Sequence, residues 1–73
     1  VGTRSIQASL NNYAGEIWLL EAKNLKNKGR TKQADSARES AKKNFKMALK
    51  HDPAYQRAKD NLAKLLMGIP LTL

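Results

Sequence analysis

The residues that could carry catalysis are few, and they do not converge. The chain has one histidine, His51, no cysteine, and six scattered carboxylates: Glu16, Glu21, Asp35, Glu39, Asp52 and Asp60. A two-histidine metal site is impossible, and no Ser–His–Asp arrangement or Gly-rich phosphate loop suggests itself. His51 reads as a partly charged group at the end of a helix, where the helix dipole favours positive charge. The expectation is a non-catalytic protein with no metal and no cofactor.

The basic residues, by contrast, cluster. Formal net charge is +8 over 73 residues, with a pI near 10.1. Between Lys23 and Lys50 stand ten Lys or Arg against two acids. At helical pitch Arg38, Lys42, Lys43, Lys46 and Lys50 occupy one arc of roughly 140°. Such an arc is either a solvated face that keeps a small helical protein soluble, or a surface for nucleic acid or another polyanion. The nucleic-acid version is short of rings. Tyr13, Trp18, Phe45 and Tyr55 are the only aromatics. Phe45 and Trp18 read as core, which leaves few rings to stack on bases. Lysine also outnumbers arginine, the better bidentate reader of phosphate, by ten to four.

These side chains must be held by helices. Asp52-Pro53 predicts a sharp corner, because the residue before proline is pushed out of the α region and proline suits a first helical turn. Before the corner Ala41, Phe45, Ala48 and Leu49 repeat with helical period; after it Ala58, Leu62, Leu65 and Leu66 do the same. Further upstream Ile6, Leu10, Tyr13, Ala14, Ile17, Trp18, Leu20 and Leu25 outline a long amphipathic helix. Gly15 interrupts it at a cost of about 1 kcal/mol against Ala. Gly29 suits a left-handed C-cap, and Gly68 with Pro70 stops the last helix. The spacing predicts helices over Ser5–Lys28, Thr31–His51 and Pro53–Met67. The fold expected is all-α: one small antiparallel three-helix bundle, with Phe45 meeting Leu62 across the corner, a frayed Val1–Arg4 and an apolar tail at Ile69–Leu73.

The corner resembles the tetratricopeptide repeat (TPR). Ala41-x3-Phe45, then Ala48-Leu49 and Asp52-Pro53, stand in that family's spacing. Ala58-x2-Asn61-Leu62-Ala63 looks like the opening of a following repeat. Trp18-x2-Glu21-Ala22-x2-Leu25, ending in Gly29, is similar to a first helix with Glu21, Ala22 and Leu25 where Leu, Gly and Tyr are usual. The resemblance runs from about residue 18 to 66, with about two extra helical turns between Trp18 and Ala41. It implies one TPR-like helical hairpin plus a capping helix, in a scaffold that binds a peptide or helix of a partner along its first helices. Some TPR domains hold acidic chaperone tails in a clamp of Lys, Asn and Arg. Asn61 matches one clamp Asn, but Leu19 and Lys23 stand where a Lys and an Asn would be, so that specificity does not transfer.

A chain this short buries only about 60% of its unfolded surface, and an isolated repeat cannot cover its own faces. Three arrangements would meet this: a longer repeat array, self-association, or compensation by the long first helix. The chain also lacks an initiator Met, as a processed product or an excised piece would. No apolar run approaches the roughly 20 residues of a membrane span. The favoured reading is a protein-interaction module that takes a protein segment, acidic in character, where the first and third helices meet. Tyr13, Lys23, Arg57 and Asn61 are the expected contacts, each polar enough to remain exposed. The alternative places a polyanion on the Arg38, Lys42, Lys43, Lys46 and Lys50 arc.

Overall fold

The computed structural model describes residues 3–68, with side chains from residue 5 on; the expectations for residues 1–2 and for the apolar tail, Ile69–Leu73, lie outside it, and Thr3 and Arg4, expected to fray, are helical. It is a three-helix bundle: α1 (Thr3–Asn27), α2 (Thr31–His51) and α3 (Gln56–Met67). None of these helices is long and apolar enough to cross a membrane. Helices α1 and α2 form a long antiparallel hairpin. Helix α3 turns back along the later part of α2, so it runs in the same direction as α1.

Each reversal is closed by backbone chemistry. At the first, Gly29 adopts φ 78°, a conformation open to glycine without the Cβ penalty. The Arg30 N–H reaches back to the Leu25 carbonyl (2.9 Å), and the Gly29 N–H to that of Lys26 (3.0 Å). This paired pattern satisfies carbonyls the end of α1 would otherwise leave open. At the second, Asp52 is extended (φ −142°, ψ 92°), as a residue before proline must be. The corner then differs from the expected one. Pro53 sits in a turn, not in the first turn of the helix, and α3 begins three residues later. The Asp52 side chain accepts a hydrogen bond from the Ala54 N–H (3.2 Å), and its carbonyl accepts one from the Tyr55 N–H (3.0 Å). Asp52 Oδ1 and its carbonyl oxygen are thus engaged in this turn, and α3 starts with no side-chain cap.

The face that α1 buries also differs from expectation. Ala8, Asn12, Gly15, Glu16 and Ala22 are inside, whereas Ile6, Leu10, Tyr13, Ile17 and Leu20 are exposed. Trp18, expected in the core, is 41% exposed. The reason lies in α2, whose buried stripe is Ala34, Ala37, Ala41, Phe45 and Ala48. Ala34, Ala41 and Ala48 recur every seventh residue, as do Ala8, Gly15 and Ala22 on α1. Two helices that present small side chains to each other can approach closely, and large ones in that seam would hold them apart. Phe45 is the single large side chain in the seam, wholly buried, and its ring lies on the backbone of Gly15. A Cβ at position 15 would stand 2.5 Å from Phe45 Cε1 and 2.7 Å from Cδ1. Glycine is therefore present for contact, and α1 continues through it unbroken.

Helix α3 covers one end of the hairpin. Leu65 joins Ala41 and Phe45, with Leu19 and Leu62 packed against them. Ala58 joins Ala8 and Ala48, with Leu49 and Tyr55 alongside. Phe45 and Leu62 thus meet in one cluster, as the periodicity predicts. Two outcomes follow. Phe45→Ala should cost about 3–5 kcal/mol, and a variant that melts like the parent would contradict the core described. Gly15→Ala should destabilise by about 1–3 kcal/mol despite its better helix propensity, because the ring must move; a rise in melting temperature would show that it need not.

Candidate site between α1 and α3

Helix α3 is fastened to α1 by polar side chains. Glu16, near the middle of α1, is buried and accepts from three donors. Arg57 Nε (2.9 Å) and Asn61 Nδ2 (3.0 Å) reach its Oε2, and Arg57 Nη2 (3.1 Å) reaches Oε1. Asn61 Nδ2 also donates to Asn12 Oδ1 (3.0 Å). Burying a carboxylate is costly unless it is paired and hydrogen-bonded, and here the bidentate guanidinium meets both needs. Every buried side-chain nitrogen and oxygen among the described residues has a partner. The carboxylate in turn raises the Arg57 pKa above its ordinary value, through the hydrogen bonds first and the charge second.

Beside this network opens a cleft lined by Leu10, Asn12, Tyr13, Glu16, Tyr55 and Arg57. Its walls are apolar where Leu10 and the two tyrosine rings stand, and cationic where the Arg57 side chain, 65% exposed, leans over Glu16. The cleft contains no pairing of nucleophile with base, and no three of His, Cys, Asp and Glu among the described residues come together as metal ligands. What it offers is a ring surface and a positive charge.

The four expected contacts are not brought together. Tyr13 (63% exposed) and Arg57 share the cleft. Asn61 is buried at 8% exposure, with its amide committed to Asn12 and Glu16, so it is not available to a partner as expected. Arg57 keeps an exposed guanidinium but spends two of its nitrogens on Glu16. Lys23 is exposed, two turns further along α1 from Glu16. The network partners Asn12 and Glu16 were missed by sequence reasoning. Their signal was there: two polar residues four apart on a helix, with Arg57 and Asn61 four apart on another.

The basic arc lies on α2, and none of its residues lines the cleft. Arg38, Lys43, Lys46 and Lys50 are exposed and Lys42 is half-buried. None has a carboxylate within ion-pair distance, since Glu16–Arg57 is the only ion pair among the described residues. Compared with known proteins, the chain matches no family model, no curated protein and no solved structure.

The network makes a stability prediction. Asn61→Ala should cost about 1–3 kcal/mol, because it removes two hydrogen bonds and leaves Asn12 Oδ1 buried without its donor. Arg57→Ala should cost more, because it leaves the buried Glu16 carboxylate without its counter-charge. Chemical denaturation that ranks them the other way round would show that α3 is held by the buried amide instead of by the ion pair.

Proposed function

We propose that the domain is a non-catalytic protein-interaction module that takes a peptide or helix of a partner in the α1–α3 cleft. The observation that carries this is the cleft's lining. Leu10, Tyr13 and Tyr55 offer apolar area, and rings do so at low entropic cost. Arg57 adds an exposed cation that favours an acidic segment. The resemblance of Ala41–Ala63 to a TPR corner supports the same reading, since that family binds partners along its first helices. Net charge +8 would speed the approach of an acidic segment by long-range steering.

A second reading is supported by the unpaired cations of α2. An arc of five basic residues with no acidic partner is an available polyanion surface, and the ligand would then be nucleic acid.

Titrating the labelled protein with an acidic amphipathic peptide rich in Glu and Leu separates the two. The cleft reading expects resonance shifts at Tyr13, Tyr55 and Arg57, and affinity at least about tenfold weaker in Tyr13→Ala with Arg57→Ala. Lys42→Glu with Lys46→Glu should slow association and leave the complex intact. Binding to a DNA or RNA oligomer that falls steeply with salt, is lost in that lysine pair and is untouched by the cleft pair would overturn the reading.

A further inference from the structure

The guanidinium of Arg57 has one edge taken and one edge open. A guanidinium carries five N–H donors in a single plane, and two of its edges can each hold a carboxylate through parallel hydrogen bonds. Glu16 takes the edge formed by Nε and Nη2, at 2.9 and 3.1 Å. The edge formed by Nη1 and the second hydrogen of Nη2 meets no acceptor among the described residues, and the side chain is 65% exposed. Glu16 is buried and is itself held by Asn61 (3.0 Å), so the plane of the guanidinium is fixed before a ligand arrives. An arginine held in this way loses little further side-chain freedom on binding. We propose that Glu16 sets which anion the cleft accepts: it orients Arg57 to hold one carboxylate of a partner's Asp or Glu side chain, and its own charge disfavours a doubly charged phosphate group.

The inference rests on the reading of the cleft as the partner's site, and it narrows the partner. Arg57 is the only cation among the residues that line the cleft and Glu16 the only anion, so the pair is neutral as a unit. A carboxylate has one charge and two coplanar oxygens, which match the two parallel donors of the open edge. A phosphate monoester carries close to two charges at neutral pH, and sites that hold it gather several arginines. No second cation lines this cleft, and the Glu16 carboxylate stands on the neighbouring edge of the same guanidinium, where like charges repel. A run of acids gains nothing over a single one here, because only one edge is open. Leu10, Tyr13 and Tyr55 line the same cleft, so the residue next to the acid in the partner is a large apolar one.

The test uses three end-capped peptides that differ at one position between leucines: Glu, Gln or phosphoserine. Affinity is read at about 0.15 M salt from the resonances of Tyr13, Tyr55 and the Arg57 Nε–H in the labelled full chain. The Glu peptide should bind at least about tenfold more tightly than the Gln peptide, and no more weakly than the phosphoserine peptide. Glu16→Gln removes the charge and keeps the shape of the side chain. Its ratio of phosphoserine to Glu affinity should rise at least about tenfold, whereas a mere loosening of α3 would weaken both peptides alike. Arg57→Lys keeps the charge without the planar fork and should bind the Glu peptide at least about fivefold more weakly. If Glu16→Gln does not fold, the parent and Arg57→Lys still decide. Equal binding of the Glu and Gln peptides in the cleft would overturn this inference and leave the cleft as an apolar docking site. A parent that prefers phosphoserine, an unchanged ratio in Glu16→Gln, or an Arg57→Lys protein that binds the Glu peptide as the parent does would also overturn it. Peptides that shift none of the cleft resonances would overturn it together with the reading it rests on.

Discussion

The structure depends on one contact, the Phe45 ring against the backbone of Gly15. The ring fills the space a side chain at 15 would need, and it is the only large side chain fully buried in the molecule's described part. To bring it there, α1 and α2 must lie close together, and the alanines at every seventh position on both helices permit that approach. Once the small residues of α1 face α2, most of its large apolar residues must face elsewhere, Leu19 excepted. The exposed stripe of Ile6, Leu10, Tyr13, Ile17 and Leu20 follows from the same choice that builds the core.

That choice leaves a thin core. Apart from Phe45 and Leu65, the buried apolar residues among those described are all alanines, and each offers little area. The bundle adds polar fastening where apolar area is short, with Glu16 and Asn12 of α1 gripped by Arg57 and Asn61 of α3. Such a network sets orientation as well as energy, because its hydrogen bonds require one register of α3 on α1. That register brings Tyr55 and Arg57 beside Leu10 and Tyr13, so the network that holds the fold also shapes the cleft.

Much of the fold was legible in the sequence. The end of α2 was marked by Asp52-Pro53, the end of α1 by Gly29, and the contact of Phe45 with Leu62 by their periods. These signals are local, and local chemistry decides them. The start of α3 was misread because Pro53 serves equally well in a turn or a first helical turn, and the Asp52 hydrogen bonds selected the turn. The buried face of α1 was misread for a deeper reason. Large apolar residues usually mark the inside, but here a glycine and alanines do, and their meaning depends on a ring 30 residues away. Asn61 and Arg57 were assigned to a partner on the ground that polar side chains stay outside. Their carboxylate lay on another helix, and spacing along one helix does not reveal partners across two.

The central claim is that Gly15, and not the large apolar residues of the exposed α1 stripe, faces Phe45. Proton NMR tests it directly through the ring current and through-space contacts of Phe45. The account predicts Gly15 α-protons shifted upfield and strong cross-peaks from them to the Phe45 ring, with Ile17 and Leu20 methyls showing none. Cross-peaks from Phe45 to Ile17 or Trp18, with Gly15 at ordinary shifts, would contradict it.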